Sequence, residues 1–110
     1  MRFKVICVGK AAGPFRLLSA EYEGRIRRYA RLEVVEVEEA RYRGEPSAAE
    51  VARIQEREAE GIRAELRGRW YPVLLAQEGK AFTSEQFAAF LEERALRGEG
   101  DVAFVVGGSL

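Results

Sequence analysis

The chain has 110 residues, of which 47% are apolar and 33% charged, and its formal net charge is zero. A chain of this length forms one domain and buries about 65% of the surface its unfolded state exposes, enough for a core without disulfides or metals. It contains no histidine and one cysteine. That composition excludes an internal disulfide, a Ser-His-Asp or Cys-His nucleophile, and the zinc sites built from histidine or from four thiolates.

Met1 to Val8 alternates and then meets Gly9. Phe3, Val5 and Cys7 fall on one face and Ile6 and Val8 on the other, the pattern of a central strand covered on both sides. Gly9 to Gly13 reads as a loop, and Pro14 suits the first position of a helix. Phe15, Leu18, Tyr22, Ile26 and Tyr29 recur at the helical period, so the first helix is expected over about 14–29. Period two then returns, and Leu32, Val34 or Val35, and Val37 predict a second strand over 31–39.

A polar loop, 39–46, precedes Ser47-Ala48-Ala49-Glu50, a capping-box signal. The helix it opens carries Val51, Ile54, Ile62 and Leu66 on one face, with Glu58 interrupting the stripe. Glu56, Glu58 and Glu60 are expected on its solvated side. Gly61 is mildly unfavourable inside a helix, and Gly68 is a plausible stop. Trp70 to Leu75 predicts the third strand. Thr83 and Gln86 form a second capping box, with Phe82 and Phe87 placed to staple across it. Phe87, Phe90 and Leu91 supply the buried stripe, and Val102 to Val106 the fourth strand.

The order βαβαβαβ predicts an α/β fold with three layers, α/β/α, around a mainly parallel four-stranded sheet. Parallel strands bring Gly9, Leu75 to Gly79 and Gly107-Gly108 to one edge of the sheet, the edge where open α/β sheets bind ligands. Glycines there let a backbone approach a ligand closely, or simply make a turn. Neither Gly9 to Gly13 nor Gly79-Lys80 has the spacing of a dinucleotide or Walker A loop. Three clusters join arginine to an aromatic ring: Arg25 to Arg31 around Tyr29, Arg41-Tyr42-Arg43, and Arg67-Gly68-Arg69-Trp70. Such pairs can hold phosphates and stack on bases. The first also reads as a solvated helix end favoured by the helix dipole. Arg41 and Arg43 cap no predicted helix, which makes them the candidate RNA contacts. Cys7, mid-strand, reads as an inert core thiol. No stretch approaches the roughly 20 apolar residues of a membrane span. With no signal peptide, the expected location is the cytoplasm.

Phe3-Lys4-Val5-Ile6-Cys7-Val8-Gly9-Lys10, Glu21-Tyr22-Glu23 with Arg25 and Arg28, Val34-Val35-Glu36-Val37, Leu74-Leu75 with Gly79-Lys80, Thr83 to Ala88, and Phe104-Val105-Val106-Gly107-Gly108-Ser109 stand in an order that resembles a known family. It is the ribosomal RNA large subunit methyltransferase H group of the SPOUT superfamily. The resemblance implies a homodimeric enzyme that methylates N3 of a pseudouridine in 23S ribosomal RNA of the ribosome, with S-adenosylmethionine as donor. It implies that Leu75 and Gly107 contact the cofactor, with Gly108 flanking them. Two departures stand out. Leu75-Ala76 replaces the family's Leu-Asp, and nothing matches the knot that follows the family's Gly-Gly turn. The expectation is therefore a truncated or fragmentary member, inactive alone, with doubtful cofactor binding and an exposed sheet surface prone to self-association. The competing readings are a non-enzymatic RNA-binding or interaction module and a small Rossmann-like nucleotide-binding domain.

Overall fold

A computed structural model describes residues 1–9, 14–40, 42–75 and 79–107. The elements run β1 (Arg2–Val8), α1 (Pro14–Ile26), β2 (Arg31–Val37), α2 (Ala48–Glu65), β3 (Tyr71–Leu75), α3 (Ser84–Leu96) and β4 (Asp101–Val106). The four strands form one sheet in the order β2-β1-β4-β3, and every neighbouring pair is parallel. The α/β class and the alternating order are as the sequence predicts.

The pleat divides the sheet between two helical layers. Ile6, Ala103 and Val105 form a buried cluster, against which Ile62 and Leu66 of the α2 segment, Val37 and Trp70 pack. The opposite face carries Phe104, whose ring lies 5.8 Å from that of Phe87 on α3. Cys7 shares this second face and feels the carboxylate of Glu23 on α1. α1 and α3 thus cover one side and α2 the other, as right-handed crossovers require for this strand order.

Local signals explain most element ends. Thr83 Oγ1 accepts from the Gln86 amide at 3.1 Å, and the Gln86 side chain accepts from the Thr83 amide at 2.9 Å, a complete capping box. The expected staple is present, with the Phe82 and Phe87 rings 6.4 Å apart and edge-on. The cap of α2 differs from expectation. Ser47 Oγ accepts from the Glu50 amide at 3.2 Å, but the Glu50 carboxylate takes the Ser47 hydroxyl at 3.3 Å instead of the Ser47 amide. Only half of the reciprocal box forms there.

α1 is shorter than its periodicity suggests. It stops at Ile26, and residues 27–30 are a turn. Tyr29 therefore leaves the apolar stripe and is 88% exposed, with Tyr22 and Ile26 also exposed. The period-of-four pattern continues in the sequence after the helix has ended.

Two buried charged groups, both overlooked by a reading of hydrophobic pattern, tie α2 to the rest. Lys4 lies within the apolar face of β1, where its Nζ donates to the Glu65 carbonyl oxygen at 3.0 Å and meets the Glu65 carboxylate at 3.4 Å. It also sits 4.8 Å from the centre of the Trp70 ring. A cation at the last carbonyls of a helix satisfies unpaired acceptors and complements the dipole. Glu58 is the second: it is buried, not solvated as expected, and its carboxylate accepts from the buried Ala40 amide at 3.1 Å. That bond anchors the loop leaving β2 to the middle of α2. A buried amide left without a partner costs about 1–3 kcal/mol, which is why a carboxylate is kept in an otherwise apolar stripe.

Candidate functional site

All four strands end at the same edge, so their carboxyl ends define the floor of any ligand site. Register places Leu75 beside Val106 and Val106 beside Cys7. Gly107 follows Val106 directly, so Leu75 and Gly107 stand at the ends of adjacent strands. Leu75 and Val106 share the face covered by α1 and α3, yet Leu75 is 52% exposed and Val106 is also open. A Cβ built on Gly107 would meet no atom within 4 Å. The floor is thus an apolar side chain beside a bare, accessible backbone. Gly108, the third residue expected to take part, lies outside the described residues, as does Ala76.

The loops around this floor differ in character. Gly9 closes β1 with φ +90°, and its amide donates to the Val37 carbonyl at 2.9 Å. Its left-handed backbone is a positional need of the turn. Lys10 to Gly13 lie outside the described residues. Beyond β3, Lys80 and Phe82 flank an open cleft of about 390 Å³ together with Gln86, Ala89, Phe90 and Glu93. Lys80 Nζ lies 5.4 Å from the Phe82 ring centre. Phe82 begins a chain of rings leading inward through Phe87 to Phe104. A basic group over an exposed ring at the site's rim went unnoticed in the sequence, where Phe82 was read only as a staple.

Arg43 is exposed in the loop after β2, and its companion Arg41 lies outside the described residues. That loop is not a basic surface. Residues 36–50 hold five glutamates, Glu36, Glu38, Glu39, Glu45 and Glu50, against Arg41 and Arg43. A cleft of about 180 Å³ beside it is lined by Glu38, Glu39, Ala40 and Arg57, a mixture of signs. The structure therefore brings Leu75 and Gly107 together, while Arg43 lies in the acid-rich loop that follows a different strand, β2.

The thiol of Cys7 is half-buried, and its pKa is pushed up first by burial and then by the carboxylates of Glu36 and Glu23. It stays protonated and unreactive at neutral pH. Among the described residues, no group of three or more His, Cys, Asp and Glu side chains is placed to hold a metal ion. No helix there is long and apolar enough to cross a membrane.

Comparison with known proteins agrees with the fold. The profile of the family described as "Predicted SPOUT methyltransferase" matches residues 1–110. The ribosomal RNA large subunit methyltransferase H of Symbiobacterium thermophilum is 41% identical over 113 residues, and that of Streptococcus equi subsp. zooepidemicus 39% identical over 111. The enzyme of Streptococcus uberis is 36% identical over 111 residues. In each case the match covers all of this chain and 70% of the relative. A profile spanning the whole chain, relatives above one-third identity and an all-parallel α/β sheet lead to one assignment: the chain belongs to the SPOUT methyltransferase family, with ribosomal RNA methyltransferases as its relatives.

Proposed function

We propose that this chain is a single-domain member of the enzymes that methylate N3 of a pseudouridine in 23S ribosomal RNA, with S-adenosylmethionine as methyl donor and a cytoplasmic ribosome as the setting. One observation carries the reading beyond family membership: the pairing of Leu75 with Val106, which sets the exposed leucine beside Gly107 at the carboxyl edge. These residues fit an adenosyl group. Leu75 offers an apolar surface to a flat ring, and the open backbone of Gly107 offers an amide and a carbonyl. When bound, S-adenosylmethionine supplies an electrophilic methyl on a sulfonium. The protein's part is placement, since holding the reacting groups in line removes much of the entropic barrier. Gly108 would extend the same backbone surface.

The half-exposed floor sets an upper limit on affinity. Apolar contact is worth about 25 cal/mol per Å² removed from water, and a floor left half-exposed by the described residues buries only part of a ligand. The expected result is cofactor binding weaker than micromolar by calorimetry. Titration with S-adenosylmethionine should shift the amide resonances of Leu75 and Gly107, and Leu75→Asp should abolish the shifts. Micromolar affinity would contradict the open floor. Shifts centred on Gly9 or Gly79 would favour the Rossmann-like reading, and no shifts at millimolar cofactor would overturn the site.

The same exposure supports self-association. Leu75 and Val106 on one face, and Leu74, 67% exposed on the other, present apolar surface at the carboxyl edge of the sheet. Apolar surface left open at the edge of a sheet marks interaction sites. Sedimentation velocity across a hundredfold concentration range should show a growing dimer, and Leu74→Glu should return the chain to monomer. A monomer at every concentration would refute the proposal.

A further inference from the structure

The arginines of this chain are not spread evenly. The turn from α1 into β2 holds Arg25, Arg27, Arg28 and Arg31 with no carboxylate between them, while the loop after β2 at the other edge is rich in glutamate. A chain of zero net charge thus carries a local basic cluster at this turn. Several arginines at the amino edge are neutralised locally. Arg2 meets the Asp101 carboxylate at 2.6 Å, Arg25 meets Glu21 at 2.9 Å, and Arg94 meets Glu99 at 3.2 Å. Arg28, Arg31, Arg67 and Arg69 are exposed, and none of them is in an ion pair with a described residue.

Helix dipoles account for at most two of these four. The dipole's pull on a cation fades within the last turn. α1 ends at Ile26 and α2 at Glu65, so Arg28 and Arg67 stand at the negative poles while Arg31 and Arg69 lie a further two or three residues away. Arg31 also stands in register beside Arg2 on the neighbouring strand, a like-charge pairing that costs stability unless something neutralises it. Arg2 has Asp101, and among the described residues Arg31 has no such partner. Arg69 lies near enough to Asp101 to help lower its pKa, although the main cause is the hydrogen bond from Arg2. Starts of β2, β1 and β3 therefore place Arg31, Arg2 and Arg69 along one rim about 14 Å long, three strand spacings from end to end. At one end of it stands Tyr29, whose exposure does nothing for solubility.

We propose that this amino edge is an RNA-docking surface. Arg28, Arg31, Arg67 and Arg69 contact phosphates, and the Tyr29 ring stacks on an unpaired base. Guanidinium forks suit phosphate oxygens, and a free aromatic face suits any splayed base. The surface lies about 20 Å, the length of β1, from the cofactor edge. It rests on the reading of ribosomal RNA as substrate, and it implies that the RNA touches both edges of the sheet.

Fluorescence anisotropy with a labelled stem-loop fragment of large-subunit ribosomal RNA, from 50 to 200 mM salt, tests it. Replacing Arg28, Arg31, Arg67 and Arg69 together with Gln should flatten the slope of log K against log salt by about 3 units, at 0.7–0.9 per lost phosphate contact. Tyr29→Ala should weaken binding about 5- to 150-fold with the slope unchanged, and Tyr29→Phe should restore it. A fourfold variant that binds like the parent overturns the inference, as does a slope that falls with Arg43→Gln instead. Equal loss for Tyr29→Ala on heparin points to generic polyanion binding and also overturns it. If the parent binds no RNA at 50 mM salt while cofactor still shifts Leu75 and Gly107, this surface falls and the cofactor site stands. If RNA binds as described and the cofactor shifts nothing, the reverse holds.

Discussion

Ile6→Ala is expected to destabilise the chain by about 2–5 kcal/mol, the range for deleting a large buried aliphatic side chain. Ile6 is 0% exposed, and its cluster receives Val37, Ile62, Leu66 and Trp70 from three different segments. Its loss removes contact with β2, α2 and the start of β3 at once. In a domain of this size that energy lowers the melting temperature by about 10–20 °C, which differential scanning calorimetry will read directly. Ile6→Val, which deletes a single methylene, should cost only about 0.5–1.5 kcal/mol. Equal melting temperatures for Ile6→Ala and the parent would mean that the cluster is not the core.

Gly61→Ala is expected to destabilise as well, against the ordinary rule. In an exposed helix interior alanine would be favoured by about 1 kcal/mol. Here a Cβ at residue 61 would lie 2.5 Å from Val37 Cγ1, closer than side chains tolerate. Val37 is β-branched and held in β2, so it has little freedom to turn away. Overpacking of this kind costs about 1–3 kcal/mol, more than the helix gains. The double variant Gly61→Ala with Val37→Ala separates the two effects. It should recover stability relative to Gly61→Ala, and denaturant unfolding should show strong non-additivity between the sites. An additive pair would remove Val37 as the reason for the glycine.

Glycine at 61 illustrates what a single sequence can and cannot disclose. Within the helix it registers only as a poor helix former, because the residue that requires it lies 24 positions away on another element. Lys4 and Glu58 were hidden for the same reason. Residue type assigns both to solvent, and only the carbonyl of Glu65 and the amide of Ala40 explain their burial. What was legible is what neighbours in sequence decide. Thr83, Gln86 and Phe82 marked the start of α3, alternation marked the strands, and the absence of hairpin-length connections forced a parallel sheet. Tyr29 shows the limit of periodicity, since the spacing persisted while the helix stopped. For the site, the strand ends brought Leu75 and Gly107 together as parallel order requires, while Arg43 came to rest in an acidic loop whose character lay in the count of glutamates around it. The basic amino edge was visible as two of the three arginine clusters, around Tyr29 and before Trp70, but their convergence needed the topology.

Pro72 gives β3 a further property. β3 is the last strand of the sheet, bonded to β4 on one side only. Pro72 has no N–H to donate, so its position belongs on the outward row, and alternation puts Leu74 there too. The outer rim of β3 thus retains one amide donor, at Leu74, where an unbroken strand would present two. Such a rim is a poor template for another chain to extend, so β3, one of the two edges of the sheet, carries its own guard against fibril growth.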